Sequence, residues 1–220
     1  LASGIRLATP YLYAAIGEAF GQRSGVLNLG VEGQMLLGAF AAFYVVLQTG
    51  NLWLGLLAAA IVGAAMGLAM AYVTINLNAE QGISGIGFFL FGLGMSDLLF
   101  QKLVGTVETV QGFPPIYIPV LSDIPYIGKI FFSQNIMVYG AYLLVPIGLF
   151  ILNRTTLGLK IRSVGENPDA ADSLGVSVPR TRYFTVILGG ILSAIAGASL
   201  SIALLDVFQQ NMTSGMGFIA

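Results

Sequence analysis

The sequence predicts an all-α fold, a polytopic bundle of transmembrane helices. Composition, charge placement and the clustering of basic residues point there together. The chain is 56% hydrophobic and 9% charged, against about 25% charged in soluble domains. Residues 33–79, 81–96, 130–153 and 183–205 contain no Asp, Glu, Lys or Arg. A spanning helix needs about 20 mostly apolar residues, and charges at the bilayer centre are costly, so these gaps hold about five spans. Finally, Arg154, Lys160, Arg162, Arg180 and Arg182 crowd into one loop, as basic residues do on the cytoplasmic side.

Taken in order, residues 5–20 are helical in pattern but hold Pro10, Gly17 and Glu18. This short segment is expected to pack inside the bundle. Residues 21–30 form a polar, Gly-rich break. Residues 31–48 make a span with Glu32 at its start, and Thr49-Gly50-Asn51 is a tight turn. The cleanest span covers 52–75, and a polar link covers 76–81. Residues 83–100 are apolar but carry Gly85, Gly87, Gly92 and Gly94, as happens where membrane helices approach closely or break around a cavity. Residues 101–135, with Pro114, Pro115, Pro119 and Pro125, are expected outside the membrane, with one short helix on the surface. A span over 136–152 contains Pro146. Residues 153–182 are the charged loop, and 183–205 the next span. The chain ends on the apolar run Gly217-Phe218-Ile219-Ala220, which suggests a single transmembrane domain, residues 1–220, truncated at its C-terminus.

Alternation outward from the charged loop places 101–135 and Thr49–Asn51 outside, and 76–81 and 21–30 inside. Arg23 agrees, and Arg6 would lie outside. Gly63 and Gly67, and the stripe Ser193, Gly197 and Ser201, are spaced for close helix packing, expected within the chain rather than in a dimer seam. The chain contains no Cys and no His. That removes disulfides, thiolate or imidazole metal sites and catalysis by either residue. A net charge of −1 gives no basis for nucleic-acid binding. The sequons at Asn153 and Asn211 are near background.

Within the charged loop, Asn167 is a fair N-cap and Pro168 suits the first helical position. Asp169 would lie in the first turn, and Gly175 where a helix stops. A helix of about two turns, residues 168–174, is expected, with an apolar face of Ala170, Ala171 and Leu174. It reads equally well as a solvated connector or as a docking knob.

The loop resembles the coupling-helix region of permease subunits of ATP-binding-cassette importers for branched-chain amino acids, ribose-type sugars and nucleosides. Gly17-Glu18 and the run from Arg23 to Phe40, with Asn28-Leu29-Gly30-Val31-Glu32-Gly33 at its centre, resemble the simple-sugar and nucleoside branch. The stretch from Thr213 to Ala220 matches a third region. The resemblance implies a type II importer permease fold with broken or re-entrant helices, in a bacterial inner membrane. It implies two packed permeases, the second being a paralogue, an external substrate-binding protein, and cytoplasmic ATPases gripping the coupling helices. Residues Gly165, Glu166, Asn167, Pro168, Ala170, Ala171, Leu174 and Gly175 would carry that contact. The chain has no G-x-x-x-x-G-K-[ST] loop, so ATP would bind the partner subunit, with no cofactor on this chain.

A neutral, hydroxyl-rich substrate needs amide and hydroxyl groups beside an aromatic wall. Asn28, Glu32, Ser84, Phe88, Phe89, Ser96 and Asp97 are the candidates in the membrane region. Each has a plainer reading: Glu32 as a cap on its helix, Asp97 solvated at the outer interface, the phenylalanines as core or lipid contacts. The alternative function is a stand-alone secondary transporter or channel using Glu18, Glu32 or Asp97 as an ion carrier. An intramembrane aspartyl enzyme lacks a second well-placed Asp.

Overall fold

The computed structural model describes residues 2–117 and 131–220. Helix α1 covers Ala2–Arg23, α2 Val31–Thr49, α3 Leu52–Ala71 and α4 Gln81–Leu103. Strands β1 (Pro115–Tyr117) and β2 (Ser133–Asn135) pair antiparallel, Pro115 opposite Asn135. Helices α5 (Ile136–Arg154), α6 (Thr156–Glu166), α7 (Pro168–Ser173), α8 (Val178–Ala203) and α9 (Met216–Ile219) follow. Among the described residues, five segments are long and apolar enough to cross a membrane: Val31–Thr49, Leu52–Asn76, Gln81–Leu103, Ile136–Arg154 and Val178–Ala203.

The local chemistry explains where the helices stop. Gly50 sits at φ 66°, the left-handed conformation glycine adopts without strain, and its N–H returns to Val46 O at 2.8 Å. Asn51 then caps α3, its Oδ1 accepting from Trp53 N and Leu54 N. Beyond α3 the chain makes one π-helical turn, Tyr72–Asn76. Glu80 caps α4, accepting from Ile83 N and Gly82 N, and these bonds hold its carboxyl below the usual range. Their stabilising effect is present above the ordinary carboxylate pKa and is lost as pH falls through the lowered one.

Helix α8 is the hub. It packs against α1, α2 and α3, and small residues set the spacing. A Cβ on Gly17 would lie 3.1 Å from Gly189 O, and one on Gly63 would collide with Gly190 O. Gly67 faces Val186, Gly197 faces Met35, and Ser201 Oγ donates to Ala39 O at 2.9 Å. The small-residue motifs therefore pack within the chain. In contrast, α4 and α5 are only 22% buried across their spans, the ordinary state of lipid-facing helices.

Hydrogen bonds sort the connections onto two faces. On one, Arg182 Nε donates to Ser24 O, Tyr183 Oη to Asn76 Oδ1 and Leu27 N to Gln81 Oε1. On the other, Arg6 Nε donates to Gln134 Oε1, Asn135 Nδ2 to Ala203 O and Val110 N to Asp206 O. The first face holds the basic loop and is cytoplasmic. Helix α1, 22 residues or about 33 Å long, joins the two faces. It therefore crosses the bundle in full, where the sequence suggested a short internal segment.

Two further differences have physical causes. The charged loop contains the two-sided helix α6, which buries Gly158, Ile161 and Val164, and α8 starts at Val178 rather than 183. Polar residues on a helix at the membrane surface hid both from a hydropathy reading. Helix α4 runs to Leu103, and a hairpin ties the outer segment down. The expected surface helix within 101–135 is absent from 106–117. Residues 118–130, with Pro119 and Pro125, lie outside the described residues, and Phe131, just after them, is helical.

Gly197→Ala is expected to lower the stability of the folded chain by about 1–3 kcal/mol, because its Cβ would collide with Met35 O. Gly87→Ala, in a helix with open space over the glycine, is expected to be neutral or better. Thermal unfolding of the two variants in detergent checks the pair.

Candidate functional site

The site begins where α1 stops. Ser24 N and Val26 N both return to Gly21 O, and Gly25 takes φ +82°. Asn28 then organises the break. Its Oδ1 accepts from Gly30 N at 2.9 Å, its Nδ2 donates to Gln34 Oε1 at 3.2 Å, and its backbone N–H donates to Glu18 Oε1 at 3.0 Å. Glu18 Oε1 also accepts from Gln22 Nε2. Asn28 is buried, and its side chain satisfies backbone that no helix satisfies. Gln34 Nε2, fully buried, has no partner.

Helix α2 starts deep in the bundle. A Cβ on Gly30 would lie 2.9 Å from Phe88 Cβ and one on Gly33 2.5 Å from Phe88 O, while one on Gly92 would collide with Gly33 Cα. The start of α2 thus crosses α4 at bare backbone, well inside the α4 span.

Glu32, in the first turn of α2, is 1% exposed. Its Oε1 accepts from Thr213 Oγ1 at 2.5 Å and Gly215 N at 2.7 Å, and its Oε2 from Gly217 N at 2.5 Å. These donors belong to the segment after α8. That segment is fixed at the outer face, where Val207 bridges to Thr109 and burial raises the Asp206 carboxyl above the usual range. Phe208 packs into Phe40, Phe43 and Phe100, with ring centroids 5.2–6.1 Å apart. Phe40 lies two turns beyond Glu32, about 12 Å along the helix. The segment therefore descends from the outer face to the level of the α2 start. Non-helical backbone is tolerated at such depth only when its polar groups are satisfied by protein, and Glu32 does this. Gly215 takes φ +88°, and a Cβ on Gly217 would fall 2.6 Å from Glu32 Cα.

The structure brings Asn28, Glu32, Phe88 and Phe89 to this junction, the ring of Phe89 standing edge-on to Phe218 at 5.0 Å. Ser84 and Phe88 line an apolar groove of about 430 Å³ between α3 and α4, with Met66, Val73 and Phe91. Ser96 is buried and donates to Leu93 O of its own helix. Asp97, half-buried, holds one carboxylate oxygen buried without a partner. Ser96 and Asp97 lie about two turns further toward the outer face than Phe89. Sequence reasoning missed Gln34 and the pairing of Glu32 with Thr213, Gly215 and Gly217. The available signal was a buried-type acid facing a Gly-rich stretch rich in N–H donors, separated by most of the chain.

The second site is cytoplasmic. Asn167 Oδ1 accepts from Ala170 N at 3.0 Å, and Pro168 occupies the first turn of α7. Gly175 at φ +82° ends it, with Val176 N on Ala171 O. Ala171 is buried and anchors the helix, so the outward apolar face is Ala170 and Leu174, the latter 84% exposed. Glu166 and Asp169 are exposed. Gly165 serves packing, since a Cβ there would collide with Arg23 O.

Residues 1–220 match the family described as branched-chain amino acid transport system / permease component. The chain belongs to this family. It is 41% identical to the putative glucose ABC transporter permease protein TsgC13 of Haloferax volcanii, covering 98% of this chain and 66% of that protein. It is 37% identical to the guanosine ABC transporter permease protein NupQ of Bacillus subtilis and 35% identical to the nucleoside ABC transporter permease protein NupC of Lactococcus lactis, spanning 97% of this chain and 70% of each relative. No solved structure gives a significant match. As a member of this permease family with five apolar spans, the chain is a multi-pass membrane protein and a transport component.

Glu32→Gln keeps one acceptor oxygen and turns the other into a donor facing Gly217 N. It is expected to free the Thr213–Gly217 segment. Hydrogen exchange at the Gly215 and Gly217 amides should rise at least tenfold, while the α3 amides stay protected. Unchanged exchange at both glycines would contradict the pinning role.

Proposed function

We infer that the chain is a permease subunit of an ATP-driven importer carrying nucleosides or simple sugars into the cell. Its family membership carries this reading, together with relatives named for guanosine, nucleosides and glucose. These substrates are neutral and rich in hydroxyls. The junction of α2, α4 and the descending segment offers suitable chemistry: Asn28 and Gln34 as amides, Phe88 and Phe89 as ring faces, with Ser84 on the cytoplasmic side of them along α4 and Ser96 and Asp97 on the outer side. ATP is hydrolysed by a separate cytoplasmic subunit, and this chain needs no cofactor of its own. A second permease, a paralogue, completes the pathway, and an extracytoplasmic binding protein delivers substrate.

Helix α7 is the contact with the ATPase. The supporting observation is Leu174, a large apolar side chain left 84% exposed on the aqueous cytoplasmic face. Lipid contact does not explain exposure there, whereas a pocket on a partner does. The Asn167 cap, Pro168 and Gly175 hold the helix rigid, so force applied at its tip passes to α6 and α8, against which it packs.

Uptake of labelled guanosine and glucose into proteoliposomes holding the assembled transporter should require ATP and the ATPase subunit. Accumulation by the permease alone under a proton or sodium gradient would overturn the reading in favour of a secondary transporter. Leu174→Asp is expected to cut ATP-dependent uptake at least tenfold and to weaken co-purification of the ATPase, with the spans' unfolding temperature unchanged.

A further inference from the structure

Where α6 crosses the start of α8, the cytoplasmic face carries a small cleft of about 190 Å³, formed by Leu157, Lys160, Ile161, Arg180, Thr181 and Phe184. Two cations stand at its rim. Among the described residues, neither the Lys160 ammonium nor the Arg180 guanidinium has a hydrogen-bonded or ionic partner. The floor is apolar. Ile161 is fully buried, while Leu157 and Phe184 remain 39% and 47% exposed. Leu159, the neighbour of Lys160, is 61% exposed.

The cleft lies at a defined depth. Helix α5, a membrane span, ends at Arg154, and the charge-free stretch of α8 begins at Tyr183. Thr155 turns the chain sharply: its Oγ1 accepts from Gly158 N, and a Cβ on Gly158 would collide with Ile151 O. Helix α6 is thereby folded back against the end of α5 and lies on the bundle through Gly158, Ile161 and Val164. The cleft is thus at the cytoplasmic headgroup layer, with Leu157 and Phe184 toward the acyl chains and Lys160 and Arg180 toward the phosphates. Long basic side chains beside exposed apolar ones are arranged as they are at a bilayer interface.

We propose that this cleft binds the headgroup of an anionic phospholipid of the inner leaflet. The phosphodiester lies between Lys160 and Arg180, and the glycerol and first methylenes cover Leu157 and Phe184. Charge complementarity and the mixed lining select this occupant. An acidic protein surface leaves Leu157 and Phe184 uncovered, and a free phosphate uses only the rim. Basic pockets at the cytoplasmic ends of membrane helices favour such headgroups.

The test is native mass spectrometry of the purified protein with phosphatidylglycerol or phosphatidylcholine of identical acyl chains. Phosphatidylglycerol is expected to bind in a fixed, saturable ratio, at least tenfold tighter than phosphatidylcholine. Lys160→Gln should weaken it about fivefold, and Lys160→Gln with Arg180→Gln about thirtyfold. Lys102→Gln, at the outer end of α4, should change nothing, and Lys160→Arg should retain binding. Equal affinity for the two lipids overturns the proposal, and this comparison stands even if the double variant fails to fold. Displacement of the lipid by millimolar inorganic phosphate would mark a free-anion site and also overturn it. So would a double variant that binds lipid normally but loses the ATPase subunit.

Discussion

Inside a bilayer, a backbone N–H has no water to turn to, and every departure from regular helix must be satisfied by the protein itself. This chain departs twice within its bundle, between α1 and α2 and again between α8 and α9. At the first break, Asn28 supplies the missing acceptor to Gly30 N and Glu18 supplies one to Asn28 N. At the second, Glu32 supplies three acceptor positions to Thr213, Gly215 and Gly217. The two breaks share one helix start, so the polar groups that permit one stand beside those that permit the other. Charge-assisted hydrogen bonds contribute about 1.5–3 kcal/mol each. Leaving such a carboxylate unpaired in the bundle would cost more than any one of them. Glu32 is therefore either fully engaged or strongly destabilising, and any movement that opens the junction must find it new partners.

Glycine is the second requirement. The polar junction works only if backbones come close enough to share it. Gly33 against Phe88 and Gly92, Gly38 against Ala194, and Gly197 against Met35 bring the backbone of α2 hard against α4 and α8. Dispersion between closely packed backbones, rather than hydrophobic transfer, holds such surfaces together in lipid. The consequence for transport is mechanical. Helix α8 runs from α7 to the outer hairpin and touches α1, α2 and α3 on the way. Under the coupling role proposed for α7, a displacement applied there would pass along this helix to the level of Glu32.

Much of this was legible in the sequence. The charge-free gaps located the five spans to within a few residues, because exclusion of charge from hydrocarbon is a strong and local rule. The Asn167–Pro168–Gly175 signals located α7, since caps act over three or four residues. The spacing of Gly63, Gly67 and Gly197 indicated close packing. What could not be read were long-range pairings. Glu32 looks like a cap on its own helix, and nothing local to it specifies Thr213. Helix α6 was hidden because its polar residues outweigh its narrow apolar face, and α1 because Glu18 and Pro10 break a hydropathy profile without breaking the helix. The resemblance to simple-sugar and nucleoside permeases drew on the stretches containing Asn28, Glu32 and Thr213. The structure now accounts for those residues physically, as the groups that satisfy broken backbone.

The most direct test of the pinning of α2 to the descending segment is a double-mutant cycle between Glu32 and Thr213. Stability in detergent would be measured for wild type, Glu32→Gln, Thr213→Val and the double variant. If the carboxylate holds the segment, the two losses are non-additive, with a coupling of about 1 kcal/mol or more. Additivity within about 0.3 kcal/mol would contradict it.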